Sequence, residues 1–446
     1  MSLIYYPKCE NVRINRTFSV RVREEGGQWK ELTSYDARNM YKGGMDNEIV
    51  TRMSYVYFDS DFEKTIELEI KYNGEDIQTA KIRPLSYNIN YNLIDSKTLT
   101  FTMQQPQKIS VEINNNIYRN LHIFASLHDK EAPSANDPKV KYFPAGFHSP
   151  GDIYLNDDEM VYIAGGAFVM GRVIAKGVKN VSVKGRGVLC GTNIPMAHEY
   201  MIFFHECEGA SVDGIIIQDS PGWTIVPRDS VNIHIKNVKI MNYRECSDGM
   251  NPCGSSNLLM EDVFLRIPDD CVSIKAFRAK KPNCNITIKD SIFWADAAHA
   301  VLIGPEGNGT VTENITFDNI DILEVKCPWP EYYGVLAITN GDDMVIRNIV
   351  FRNIRIEEFS QSSLICLRIE ENAWTYAPGK NIENILFKDV TYTGNNKNHS
   401  VLRGFNAERN LRGIRFENYN INGKLVKSAD EFGLVIEDNV HDVSFG

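Results

Sequence analysis

The sequence predicts an all-β chain, an antiparallel β-sandwich over residues 1–135 followed by a parallel β-helix over residues 136–446. Three observations predict it. The first third is made of short alternating apolar and polar runs separated by turn residues. From about Lys139 onward the runs become shorter and a fixed phrase recurs. Nowhere is a helical period sustained over several turns.

In the first part, FSVRVRE (18–24), TIELEIKYNGEDIQTAKIRP (65–84) and TLTFTMQQPQKISVEIN (98–114) have the period of two expected of half-buried strands. The Asn73-Gly74 step between two such runs predicts a tight hairpin. Several strands of this kind with turns between them predict a sandwich.

The repeat begins as NVSVKGRGV at 180 and continues as GASVDGIII at 209, NIHIKNVKI at 232, NLLMEDVFL at 257 and NITIKDSIF at 285. It goes on as NITFDNIDI at 314, NIVFRNIRI at 348, NILFKDVTY at 384 and GIRFENYNI at 413. Successive starts differ by 29, 23, 25, 28, 29, 34, 36 and 29 residues. Such a period is the mark of a solenoid. Each unit holds only strand-like pairs around an Asx corner, so the solenoid is a parallel β-helix. Asn285-Ile-Thr and Asn314-Ile-Thr have the form of glycosylation sequons, but their periodicity assigns the Asn to a corner, and glycosylation is discounted.

The stretch 246–275 carries the densest chemistry, with Asp248 and the adjacent pair Asp269-Asp270. Like charges placed together raise each other's pKa, which makes such a cluster an acid/base candidate. Asp in Ser-Asp-Gly or Pro-Asp-Asp also suits a plain turn. The repeat decides between the two. Counted from each phrase start, Asp248 falls 16 residues after Asn232, and Asp269 and Asp270 fall 12 and 13 after Asn257. His299 falls 14 after Asn285 and Trp223 falls 14 after Gly209. Equivalent positions of a β-helix stack at about 4.8 Å, so these residues lie near one edge of one face on neighbouring coils. Carboxylates from adjacent coils suit a general acid and a general base on either side of a glycosidic bond. Trp223 offers a ring on which a sugar can stack.

The chain has 446 residues, 43% of them hydrophobic, enough for a large core. Its net charge is −10, with Lys and Arg scattered, which argues against a nucleic-acid partner. No apolar run is long enough for a transmembrane helix. Nine cysteines without CxxC pairs read as thiols, not as a disulfide framework or a zinc site, with Cys246–Cys253 an unfavoured bridge. The N-terminus lacks a charged segment followed by an apolar one. As written it reads as cytoplasmic, and as secreted or periplasmic if the opening Met-Ser-Leu replaces a removed leader.

These residues are where the chain resembles a known group. SDG (247–249), PDDCVSIK (268–275) and AHAVLIGPEG (298–307) are similar to the NTDG, GDDCIAIK and GHG blocks of the polygalacturonase-type glycoside hydrolases of family 28. SPGWTIVPRDSVNIHIKNVKI (220–240) is similar to the segment that precedes that site, and the likeness covers roughly 139–425. The N-terminal sandwich and the entry phrase MVYIAGGAFVMGRV look more like the dextranase and isopullulanase family 49. The resemblance implies a right-handed, pectin-lyase-like helix. It implies that Asp269 is the general acid, that Asp248 and Asp270 activate water, and that His299 supports them. No cofactor or metal is implied. The sequence departs at Ser247, which replaces Asn, and at Ala298 and Ala300, which replace Gly. An Arg-x-Lys pair that grips uronates is expected within GVLAITNG (334–341), where Leu336 and Ile338 stand instead. Candidate substrate-binding residues are Trp223, Arg228, Lys275, Arg278, Glu306, Arg368, Glu370 and Arg403, with Glu371 beside them.

The reading is an inverting hydrolase of an α-linked oligo- or polysaccharide, either a dextran-like glycan or a pectic oligosaccharide. Two rivals keep the fold. One is a polysaccharide lyase with a Lys or Arg base and calcium on the aspartates. The other is a non-enzymatic, tailspike-like carbohydrate-binding helix. A family member that has lost activity is a third rival, against which the three intact aspartates argue.

Overall fold

A computed structural model describes residues 3–43, 47–196, 200–328 and 334–446. Two sheets form the N-terminal part. One holds Leu3–Tyr5, Tyr35–Lys42, Glu48–Ser60, Ala80–Arg83, Gln107–Ile113 and Leu121–Ser126. The other holds Phe18–Glu24, Lys30–Leu32, Ile66–Tyr72, Asn92–Asp95 and Thr98–Met103. All pairs are antiparallel except Glu48–Ser60 with Leu121–Ser126. The alternating apolar residues of both sheets, including Val20, Leu68, Phe101 and Ile109, meet in one core.

The hairpin expected at Asn73-Gly74 does not form. Ile66–Tyr72 pairs with Phe18–Glu24 and Thr98–Met103, whereas Ala80–Arg83 pairs with Gln107–Ile113 in the opposite sheet. The step carries the chain from one sheet to the other. Asn73 is tied to the Arg16 carbonyl and Ser19, a contact distant in sequence that outweighs the local turn preference.

From Val140 the strands run parallel, apart from the short Lys424–Leu425 strand that turns back on Leu411–Ile421, and coil in a right-handed helix. The recurring phrase explains each coil. Its first position (Asn180, Gly209, Asn232, Asn257, Asn285, Asn314, Asn348, Asn384, Gly413) has positive φ throughout. Its sixth position (Gly185, Gly214, Asn237, Asp262, Asp290, Asn319, Asn353, Asp389, Asn418) does too. Only Gly, Asn and Asp enter the left-handed region at low cost, so the phrase is a pair of corners separated by a short strand. The corner amides stack, with Asn285 donating to Asn257 (3.2 Å) and Asn348 to Asn314 (3.1 Å). Between the corners, the second and fourth residues point inward. Phe317, Phe351, Phe387, Phe416 and Phe445 form an internal ladder with ring centroids 4.8–5.2 Å apart.

The sandwich is seated on the helix through a shared apolar cluster that includes Tyr55, Phe124, Phe264, Trp294 and Leu323. Two buried arginines cross the junction. Arg266 donates to Asp296 (2.9 Å), to Asn120 (2.7 Å) and to the Ile117 carbonyl (2.7 Å). Arg83 donates to Glu357 (2.6 Å) and Glu112 (3.0 Å). Both guanidiniums lie over the Trp294 ring. Cys246, exposed, and Cys253, buried, are free thiols and form no bridge with each other. Among the described residues no helix is long and apolar enough to cross a membrane.

Candidate active site

One face of the helix is a six-stranded parallel sheet of Val272–Ile274, Val301–Ile303, Gly334–Asn340, Ser363–Ile369, Ser400–Arg403 and Leu434–Ile436. The segments before it stack in the same register. The Thr224 amide donates to the Asp248 carbonyl (2.8 Å), Gly249 to Asp270 (2.9 Å) and Cys271 to His299 (3.0 Å). Trp223, Asp248, Asp270 and His299 therefore stand one above another on four successive coils. Asp269 precedes Asp270 at the same edge.

The carboxylates occupy unlike environments. Asp248 is 1% exposed and accepts from Asn251 Nδ2 (2.6 Å), with Lys275 Nζ at 3.3 Å. Burial pushes its pKa up to about 6, against the pull of Lys275. Asp270 Oδ1 lies 2.6 Å from His299 Nδ1. Burial by itself would raise Asp270, but His299 and then Lys275 outweigh it and hold the carboxyl below the usual range. Asp269 is half-buried and, among the described residues, accepts a hydrogen bond only from the Asp270 amide (3.0 Å). Burial, then the charges of Asp248 and Asp270, push it well above the usual carboxylate range. Two neighbouring aspartates are thus driven in opposite directions, which is the electrostatic pattern of an acid paired with a base.

Lys275 sits among Asp248, Glu306 (2.7 Å) and the face of Trp223 (4.3 Å to the centroid). Burial lowers its pKa, but Asp248, Glu306 and Asp270 outweigh that and hold it well above an ordinary lysine. Trp223 also stacks with Tyr200 at 5.8 Å and meets Phe277 edge-on at 5.6 Å. Arg228 donates to Tyr200 OH (2.6 Å) and lies over the Phe203 and Phe277 rings. Arg278 is exposed beside Phe277.

Five residues beyond the first column runs a second, Arg228, Cys253, Lys275, Gly304, Thr339, Arg368 and Arg403, placed by the strand registers. Arg403 is bound to Glu437 through both Nε and Nη2. Glu370 accepts from Asn372 (2.9 Å), and Glu371 is exposed.

The positions expected for the uronate-gripping pair need correction. Leu336 and Ile338 lie in the inner core. Strand alternation makes Ala337 and Thr339 the outward residues there, one position along from the expected pair. Neither is a cation, so the groove lacks a charged pair at that coil.

Asn251, Tyr200 and Phe277 were not among the residues singled out from sequence. Tyr200 lies 23 residues before Trp223, as Ile202 does before Ile225, so counting one coil further back finds it. Asn251 and Phe277 belong to irregular corners, where no repeat marks them.

Residues 174–435 match the model of Glycosyl hydrolases family 28. The chain belongs to this family. Exopolygalacturonase A of Aspergillus niger is 25% identical over 214 residues, covering 42% of this chain and 47% of the relative. A probable rhamnogalacturonase E of Aspergillus flavus is 23% identical over 216 residues, covering 47% and 43%. This family 28 chain thus spans about half the length of the curated relatives it matches. Dex49A from Penicillium minioluteum superposes with a TM-score of 0.67 at 15% identity, over 99% of this chain and 96% of that one. A family 28 exopolygalacturonase from Yersinia enterocolitica gives 0.54 at 11% identity, over 84% and 96%. At these identities the superpositions speak for the fold, sandwich included in the first case.

Proposed function

We propose that this chain is an inverting glycoside hydrolase of α-linked oligo- or polysaccharides. Asp269 is the general acid. Asp270, held ionised by His299, activates a water molecule together with Asp248. The observation that carries this reading is the opposite displacement of Asp269 and Asp270. Asp269 keeps a proton to give the leaving oxygen, while Asp270 keeps its charge to take one from water. Trp223 gives the sugar an apolar face. Residues 1–135 are proposed as a separate domain that braces the catalytic helix of residues 136–446.

At the cleaved sugar we propose a neutral unit, or an uncommon residue of a branched pectic oligosaccharide. Ala337 and Thr339, both fully buried, take the outward strand positions there, and Lys275 is already compensated by Asp248 and Glu306. A uronate buried without a cation would be unfavourable by several kcal/mol.

A lyase would need a basic group that gives up its proton readily. Lys275, the cation nearest the aspartates, is held in the charged form, which disfavours that role. Proton NMR of the product in the first turnovers tests the hydrolase reading. An inverted anomer is expected, and a retained anomer or an unsaturated, ultraviolet-absorbing product would refute it.

A further inference from the structure

We infer that Arg368 and Thr339 form an anion-binding subsite, three coils beyond the aspartates, that selects a carboxylate-bearing sugar away from the cleaved bond. Arg368 is 7% exposed, and its Nε is buried without a hydrogen-bond partner. Among the described residues no carboxylate lies within ion-pair distance of it and no group accepts a hydrogen bond from it. A guanidinium carries five donors, and one so nearly buried is normally matched by a carboxylate or by several acceptors. Arg83 and Arg266 in this same chain show the ordinary solution, each with a carboxylate at 2.6–2.9 Å.

Thr339 stands directly beneath Arg368 in the parallel register. Its Oγ1 is also buried and also without a partner. Two adjacent polar groups left unmatched on one face point to a shared ligand. A carboxylate answers both, its two oxygens accepting from the guanidinium fork and one of them accepting also from the hydroxyl through its remaining lone pair.

From the aspartates onward along this column, the neighbouring charges leave this role to Arg368. Arg403, one coil further on, is bound by Glu437. Lys275, three coils back, is bound by Asp248 and Glu306. Glu437 is held low first by Arg403 and also senses Arg368, yet it remains beyond ion-pair distance of Arg368. Gly304, between Lys275 and Thr339, contributes no side chain to the column. Three inter-strand spacings of about 4.8 Å place Arg368 ~14 Å along the axis from the Asp269–Asp270 coil. The subsite thus belongs to a unit beyond the one that is cut. It accounts for a groove whose cation at the aspartates, Lys275, is already compensated and which holds an unmatched one farther along.

This inference rests on the hydrolase reading only for where the cut lies. It is therefore tested by binding, in an Asp269→Asn background that leaves substrate uncleaved. The probes are uronate-containing pectic oligosaccharides of increasing length and the same oligosaccharides after carboxyl reduction. Titration calorimetry is expected to show tighter binding of the acidic series once it is long enough to reach Arg368. Arg368→Met should weaken the acidic series by about tenfold or more relative to the reduced series. Thr339→Val should weaken it by a smaller factor, and Arg368→Lys should recover part of the loss. Equal affinity for acidic and reduced series in the Arg368-containing protein overturns the inference, as does an equal loss on both in Arg368→Met. Should Arg368→Met fail to fold, the acidic-to-reduced ratio and the Arg368→Lys protein decide in its place. Charge-selective binding without cleavage by the unmutated chain would sink the hydrolase reading and leave this one standing.

Discussion

His299 Nδ1 lies 2.6 Å from Asp270 Oδ1, one coil away, and holds that carboxyl below the usual range while its neighbour Asp269 is pushed far above it. The contact distinguishes two adjacent residues of the same type. Burial raises both, and at Asp270 the charge and hydrogen bond of His299, aided by Lys275, reverse it.

The general-acid role is tested by Asp269→Asn. Among the described residues the side chain accepts a hydrogen bond only from the Asp270 amide, so the fold should survive and the melting temperature at neutral pH should hold or rise. Turnover should fall by about 10²–10⁴-fold, because general acid catalysis is typically worth that much. Aryl glycosides with good leaving groups should lose far less. Near-normal turnover of a natural glycoside by this variant would remove Asp269 from the role.

Asp248 sets a pH dependence. Its pKa is raised from 3.8 to about 6, so its ionisation opposes folding. The stability associated with its protonated form is fully present below the ordinary Asp value of 3.8 and is lost as pH rises through about 6. Asp248→Asn should therefore melt higher than the parent above pH 6, with the difference closing below pH 4. The acid limb of the parent's kcat/KM profile should fall near the same value if ionised Asp248 helps to hold the water. Identical melting curves for parent and variant across this range would rule the account out.

Substrate charge follows from the uncharged Ala337 and Thr339 at the outward strand positions and from a net charge of −10, which repels a polyanion at long range. Neutral α-glycans or branched pectic oligosaccharides should be cleaved faster than homogalacturonan, which places a carboxylate on every unit. Brisk cleavage of polygalacturonate that slows with added salt would refute this and would point to Arg228 or Arg278 as the gripping cation.

The junction between sandwich and helix depends on Arg266. Arg266→Met leaves Asp296 buried without its partner, a loss of about 3–5 kcal/mol. Calorimetry should show a clear drop in melting temperature. The exposed pair Lys179–Glu208 provides the contrast, and Lys179→Met should leave the transition where it was.

The sequence by itself determined the coil and the phase of the site. Asn or Gly at the first position and Asx or Gly at the sixth force left-handed corners, and everything between repeats in register. Counting residues therefore placed Trp223, Asp248, Asp270 and His299 at one edge. It could not place residues whose setting depends on contacts distant in sequence. Asn73-Gly74 has the composition of a hairpin, yet pairing with strands elsewhere sent its two arms to opposite sheets. Leu336 and Ile338 were one residue out of step, and in a structure of period two that offset exchanges the groove for the core. The pairing of charges was likewise invisible locally: Lys275 with Asp248 and Glu306, Arg403 with Glu437, Arg266 with Asp296. Each partner lies about one coil away along the chain, and only the stacking of coils decides which carboxylate a given cation meets and which arginine is left unmatched.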